Sequence, residues 1–359
     1  FQAAPGQLHR PGAAFFFPNA MTVDPIQIPP ARRAAIEAML PHLLDARRVA
    51  LSTHINSDGD GCGSEVALAL LLAQRGIDVR IVNPTPWPAM FNWLLVPGVR
   101  DESARGAVAL KEVDRLIVLD ISDVGRLGGL ANAVRALVVP PLVIDHHLPG
   151  DEPPGTIHVT DTAACATGEL IFDFAVVMGL EITAEIAVAL YTALMTDTGG
   201  FRFSNTTARC LAVASQLVAG GVKPEEMYRR IYASVPIGRI RLISEALRTI
   251  EVDSAIGLAT IDIEAGQLAR HNVIPEDLDG VAEYPRSIEG TRLALLFRDL
   301  GHGKVKVSFR SVGNVDANQL ARRFGGGGHA KAAGALVEGS LAEAKAKVTA
   351  VARDLLSEG

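Results

Sequence analysis

Residues 49–61, VALSTHINSDGDG, decide the fold: the apolar and β-branched run Val49 to Thr53 stops abruptly at polar residues. Such a run reads as a buried strand that ends in a loop. Beyond it, Cys62 to Arg75 repeats apolar residues at helical spacing until Gly76, and Asp78 to Asn83 is strand-like again. Together these make a β-α-β unit, the building block of a parallel sheet. On the other side, an opening helix spans Ala34 to Ala46 and ends in basic Arg47 and Arg48. Two further apolar runs, Leu116 to Leu119 and Leu142 to Ile144, are each followed at once by an acid, Asp120 and Asp145. Ligand sites of open parallel sheets lie beyond the carboxyl ends of the strands, so these acids are expected to converge on one crevice.

The pattern continues with helices at Gly168 to Met178 and Ala184 to Met195, then a Gly-Gly-Phe turn at Gly199. Ala208 to Ala219, Pro224 to Tyr232 and Ile237 to Ile250 show few strand signals and read as a helical connector. From Val252 the pattern turns strand-like (Gly257 to Asp262, Arg292 to Arg298, Lys304 to Arg310) and closes with a helix from Leu341 to Leu356. The expected fold class is α/β with two domains. A catalytic parallel-sheet domain over 21–215 is followed by a connector over 216–250 and a smaller α/β domain over 251–359. Residues 1–20 carry Pro, Gly and a Phe triplet without periodicity and read as a tail ahead of Met21, not a signal peptide.

Bulk properties narrow the function. A chain of 359 residues that is 48% hydrophobic is long enough for two cores. Aromatics are only 5%, which suits Ala-rich helices on aliphatic strands. A net charge of −6 argues against a broad basic face that coats long duplexes, but leaves room for a small anionic substrate held through metals. Cys62, Cys165 and Cys210 are widely spaced, so neither a disulfide framework nor a zinc-thiolate site is expected. No apolar run reaches the roughly 18–20 residues of a membrane span, and the chain is expected to be cytoplasmic.

The chemistry is concentrated in a few motifs. His54, Asn56, Asp58 and Asp60 alternate directly after the first strand, and alternate side chains share a face if the backbone stays extended. Oxygen donors with imidazole suit divalent ions such as Mn²⁺. For a lone Asp-Gly-Asp, a solvated turn is the better reading. Here Asp120 and the run Asp145-His146-His147 must also be neutralised, because burying that much charge without a counterion is costly. Asp197 falls at a helix C-terminus, where the macrodipole disfavours an acid unless a cation is near. In the second half, Gly326, Gly327, Gly328 and His329 belong to a run that can bring amide N–H groups to an anion. Arg310, with Ser311 beside it, offers a phosphate fork at the end of a strand-like run.

The ordered set His54-x-Asn56-x-Asp58-x-Asp60, Asp120, Asp145-His146-His147 and Asp197-Thr198-Gly199, followed by residues 325–334 (GGGGHAKAAG), resembles the DHH phosphoesterase superfamily with its DHH-associated C-terminal domain. The resemblance covers nearly the whole chain after Met21 and looks most like the oligoribonuclease and PAP phosphatase branch. It implies two Mn²⁺ per chain, with Mg²⁺ or Co²⁺ as alternates: one on His54, Asp58 and Asp120, the second on Asp60, Asp120, His146 and Asp197. His147 would act on the transition state, Asn56 would orient a phosphate, and Asp145 would fix the histidine pair. Arg310, Ser311, the glycines and His329 would hold the nucleotide beyond the scissile bond. The implied substrates are short single-stranded RNA or DNA, dinucleotides and pAp, with a homodimer as one candidate assembly. Rival readings are a cyclic-dinucleotide phosphodiesterase, a RecJ-like exonuclease, a pyrophosphatase, and a nucleotide-sensing module without catalysis.

Overall fold

The computed structural model describes residues 26–278, 280–328 and 330–357, so the tail at 1–20 and His329 lie outside the described residues. It divides into two compact units, one running to Ile231 and the other starting at Tyr232. That break falls within the stretch read as a connector, at the end of a helix.

The first unit contains, in chain order, α1 (Pro30–Leu44), β1 (Arg48–Ser52), α2 (Gly59–Ala73), β2 (Asp78–Ile81), α3 (Ala107–Leu110), β3 (Arg115–Leu119), α4 (Ala131–Arg135), β4 (Leu142–Asp145), β5 (Ile157–Thr160), α5 (Thr167–Met178), α6 (Ala184–Asp197), α7 (Ala208–Ala219) and α8 (Pro224–Tyr232). Its five strands are all parallel, in the order β2-β1-β3-β4-β5. The direction of winding reverses between β1 and β3, so a crevice opens beyond the carboxyl ends of those two strands. Strands β1 to β4 are buried along most of their length, as apolar runs covered on both faces must be. Strand β5 went unrecognised in the sequence because Ile-His-Val-Thr is short, half polar and only partly buried at the sheet edge.

Helix α2 begins at Gly59, three residues before the expected start, because Asp58 caps it by accepting from the backbone N–H of Asp60 and Gly61. Nearly all of α2 is buried. It crosses α6 closely: a Cβ on Gly59 would lie 2.4 Å from Thr196 Cγ2, and one on Gly63 2.4 Å from the Ala189 carbonyl oxygen. Only glycine permits that approach, which sets the start of α2 beside the end of α6.

The second unit contains α9 (Ile237–Leu247), β6 (Glu251–Asp253), β7 (Leu258–Ile263), α10 (Gln267–Arg270), α11 (Glu283–Arg286), β8 (Leu293–Asp299), β9 (Lys304–Ser311), α12 (Ala317–Arg322), β10 (Gly327–Gly328), β11 (Ala332–Glu338) and α13 (Leu341–Ser357). Its sheet runs β10-β11-β9-β8-β7-β6 and is antiparallel except at β7–β8. Along β9, Val305, Val307, Phe309 and Ser311 are buried, while Lys304, Lys306, Ser308 and Arg310 face the more open side. The buried face packs on α12 and α13 through Leu320, Ala344 and Val348. On the opposite face, Leu296 and the end of β7 are covered by α9 and by Leu278, Val281 and Ala282. Strand β11 was not expected within the Ala-rich stretch. A Cβ on Gly326 would lie 2.1 Å from the Gly334 carbonyl oxygen, so the glycine run is needed for close strand approach.

Candidate metal centre

The expected face of alternating side chains does not form. Asn56 adopts φ 55° and α2 starts at Gly59, so residues 54–60 turn instead of extending. The turn still gathers His54, Asp58 and Asp60 with residues from three other segments. His54, Asp58 and Asp120 can offer ligand atoms within 4.8 Å of one another, and so can Asp60, His146 and Asp197. A third group, Asp120, His146 and His147, overlaps both. Asp120 and its neighbours lie beyond the ends of β1, β3 and β4, at the switch point of the sheet.

Each histidine is oriented by an acceptor on its Nδ1. His54 Nδ1 lies 2.9 Å from the Ile55 carbonyl oxygen and His146 Nδ1 3.3 Å from that of Ala164. Donation from Nδ1 turns Nε2 toward the carboxylates. His54 Nε2 is 3.5 Å from both Asp58 Oδ2 and Asp120 Oδ2. His146 Nε2 is 3.6 Å from Asp60, 3.5 Å from Asp120 and 3.7 Å from Asp197. These gaps are too wide for good hydrogen bonds. Both Nε2 atoms are buried and have no hydrogen-bond partner among the described residues. Orphaned nitrogens facing several carboxylates across such gaps fit a cation between them.

The carboxylates are held from behind by groups that the sequence did not flag. Asp60 accepts from the N–H of Thr167 at 2.7 Å and of Gly168 at 3.0 Å, at the start of α5, and from Ser64 Oγ at 3.1 Å. Asp120 accepts from Thr167 Oγ1 at 3.1 Å and takes φ 61°, an uncommon conformation for a side-chain-bearing residue. Asp197 ends α6 and accepts from Asn205 Nδ2 at 3.0 Å. Polar residues opening a helix just after the edge strand, and Asn205 soon after the Gly-Gly turn, were the available signals. They look like ordinary caps until the acids are seen against them.

Two expectations need correction. Asp145 fixes His147 alone, with 2.7 Å between Asp145 Oδ1 and His147 Nδ1, while His146 depends on the backbone. Asn56, exposed in the turn, makes no side-chain hydrogen bond among the described residues. Ser311 is buried, its hydroxyl directed at the carbonyl oxygens of Val315 and Ala330, because strand alternation points it away from the face of Arg310. Arg310 itself is partly exposed and lies 3.2 Å from Glu283. Gly327 and Gly328 are exposed on an edge strand, and Gly326 is half-buried beside it.

The electrostatics are those of a site short of positive charge. Burial disfavours the charged form of His54, but Asp120 and Asp58 outweigh it and push its pKa up to about 10. The same balance, with Asp120, Asp60 and Asp197 as the anions, brings His146 to about 10. Burial and the charge of Asp120 raise Asp60 well above the carboxylate range. Asp197 rises to about 6 through burial, then Asp120 and Asp58. Asp120 moves the other way despite burial, held ionised by His146 and His54.

Residues 48–195 match the sequence model of the DHH family, N-terminal domain, and residues 242–358 that of the DHHA1 domain. The chain is 33% identical over 309 residues to the bifunctional oligoribonuclease and PAP phosphatase NrnA of Thermus thermophilus, covering 86% of this chain and 90% of that one. The crystal structure of an exopolyphosphatase-related protein from Bacteroides fragilis matches with TM-score 0.82 and 26% identity over 91% of this chain and 96% of that one. RecJ of Thermus thermophilus in complex with Mn²⁺ shares the fold, with TM-score 0.53 and 17% identity over 93% of this chain and 56% of RecJ.

Proposed function

The chain belongs to the DHH family, and on that ground we propose a two-metal phosphoesterase that cleaves short oligoribonucleotides to mononucleotides and dephosphorylates 3′-phosphoadenosine 5′-phosphate (pAp), with Mn²⁺ as the working ion. The observation that carries this reading is the pair of donor sets on either side of Asp120, each with an orphaned histidine Nε2. His54, Asp58 and Asp120 would hold one ion, and Asp60, Asp120, His146 and Asp197 the other. When bound, the ions supply Lewis acidity toward phosphoryl oxygens and toward water.

The protein's own residues do the rest. His54 and His146 give up their Nε2 protons when they become ligands, so binding releases protons and strengthens with pH. Thr167, Gly168 and Asn205 keep Asp60, Asp120 and Asp197 in place before any ion arrives. Because His147 donates from Nδ1 to Asp145, its chemistry runs through Nε2, which donates a proton to the leaving oxygen or to charge building on the phosphoryl group. Arg310 holds a phosphate of the substrate.

The test is kcat/KM per RNA end, with Mn²⁺, for single strands from two to about two dozen nucleotides, together with phosphate release from pAp. Efficiency is expected to be highest at two nucleotides and to fall with length, since a chain of net charge −6 offers no evident basic track. Equal or rising efficiency with length would move the assignment to a RecJ-like exonuclease.

A further inference from the structure

The turn that carries His54 is anchored from outside by a short segment that the reading above does not use. Residues 83–86, Asn-Pro-Thr-Pro, follow β2 and meet the chain where it leaves β1. Each proline restricts the residue before it, so Asn83 and Thr85 have few backbone conformations to lose on folding. Asn83 Oδ1 accepts from the Thr53 N–H at 2.9 Å, and Thr85 Oγ1 accepts from the Asn56 N–H at 2.9 Å. Between them, the Ile55 N–H donates to the Arg126 carbonyl oxygen at 2.9 Å.

The Thr85 contact reaches His54 through a single peptide group. The Asn56 N–H and the Ile55 carbonyl belong to one planar unit and point to opposite sides of it. That carbonyl oxygen lies 2.9 Å from His54 Nδ1, and this contact turns Nε2 toward Asp58 and Asp120. A hydroxyl that holds one edge of the peptide therefore holds the acceptor on the other edge. Asn56 sits at φ 55°, and relaxing that angle would swing this same peptide. Asn83 is fixed in its turn: it is buried, its Nδ2 donates to Glu65 Oε2 at 2.9 Å, and its backbone N–H donates to Ser103 Oγ at 2.8 Å. Because the Thr53 N–H can only donate, Oδ1 must face it, and the amide has one orientation. Glu65, on α2, is fully buried, and its other oxygen has no hydrogen-bond partner among the described residues. A carboxyl in that place is costly, and the contact it makes is with Asn83.

We propose that Thr85 is a positioning residue for metal binding: by fixing the Ile55–Asn56 peptide its hydroxyl sets the ring orientation of His54, while Asn83 fixes the strand end on which that ring is mounted. The proposal rests on the two-metal reading. It makes the ion held by His54, Asp58 and Asp120 depend on a hydroxyl two hydrogen bonds away from the ligand nitrogen's ring. The ion held by Asp60, Asp120, His146 and Asp197 takes its support from Thr167, Gly168 and Asn205 instead and does not share that dependence.

The experiment is calorimetric titration with Mn²⁺ alone, without substrate, of wild type, Thr85→Val, Thr85→Ser and Thr183→Val. Valine keeps the shape of Thr85 and removes the acceptor; serine keeps the acceptor. Thr183, whose hydroxyl caps the far end of α6, controls for the general loss of one such bond. Thr85→Val is expected to weaken one of the two ions by about 10-fold, the low end of what partners of a ligating histidine contribute, and to leave the other unchanged. Thr85→Ser should restore the wild-type value, and Thr183→Val should keep it. A double-mutant cycle identifies the ion: once His54→Ala has removed its site, adding Thr85→Val should not weaken the ion that remains. Wild-type binding of both ions by Thr85→Val overturns the proposal, and so does an equal loss at both sites, a failure of serine to rescue, or a further loss in the His54→Ala background. Wild type that takes up no Mn²⁺ overturns the two-metal reading along with it.

Discussion

The first unit contains two buried charge clusters, both leaning on α5, and they differ in how the charge is settled. In one, Arg32 reaches Asp161 at 2.8 Å, Glu169 at 2.7 Å and Asp173 at 2.8 Å, while Arg209 binds Glu169 at 3.0 Å and also pairs with Asp173. Guanidinium forks satisfy these acids within hydrogen-bond distance, as buried ion pairs require. In the other, Asp58, Asp60, Asp120 and Asp197 accept hydrogen bonds from neutral groups behind them, but among the described residues the ion-pair partners they face are imidazoles, whose Nε2 atoms stand 3.5–3.7 Å away and make no hydrogen bond. The first cluster is complete as folded; the second is arranged for charge that the described residues do not supply. That difference separates a structural polar network from a metal centre, although both are acidic and buried.

Breaking the shared ligand should have the largest effect. Asp120→Ala removes a donor from both sets and is expected to lower kcat/KM by on the order of 10³-fold or more, several kcal/mol of transition-state stabilisation. Activity near wild type would show that Asp120 does not join the sites. In the complete cluster, Arg32→Met should cost about 3–5 kcal/mol of stability by stranding Glu169 and Asp173, while Mn²⁺ affinity of the folded fraction stays within a few-fold. Denaturant titration and metal titration of the same samples separate the two effects; a large loss of metal affinity would mean the clusters work as one. His147→Ala should lower kcat by roughly 10²-fold with Mn²⁺ stoichiometry unchanged, as expected of a group acting on the transition state. Loss of one ion per chain would make His147 a ligand, as its place in the third donor group allows.

The smallest effect is on stability against pH. Asp197, raised to about 6, binds its proton more tightly folded than unfolded, so the metal-free fold loses stability as pH rises from the ordinary value of 3.8 through 6. His54 and His146, raised to about 10, stabilise fully below 6.5, and that contribution is lost as pH climbs through 10. All three shifts act in the same direction. Between about pH 7 and about 9.5, Tm of the first unit in EDTA should fall by several degrees more than with Mn²⁺, given that ~1 kcal/mol moves a domain of roughly 200 residues by about 2–4 °C. Parallel curves would mean that the histidines do not hold that charge in the metal-free protein.

The local sequence was sufficient for the strands that end in acids, because a fully buried parallel strand is a continuous apolar run and its carboxyl end is where polarity returns. From those ends alone, His54, Asp120 and the residues after Ile144 could be sent to one crevice, and the order of motifs pointed to the family that the comparisons bear out. Tertiary structure decided the rest. Whether residues 54–60 extend or turn depends on Asp58 capping α2 and on glycines that let α2 lie against α6. That Thr167 and Gly168 steady Asp60 and Asp120 follows from segments 47 to 108 residues apart in the chain meeting at one point. Along β9 the alternation was legible, but which side is open was not, so Ser311 was grouped with Arg310 although its side chain lies on the buried face. Sequence periodicity marks two faces of a strand, and only the layer packed against the sheet determines which of them can meet a ligand.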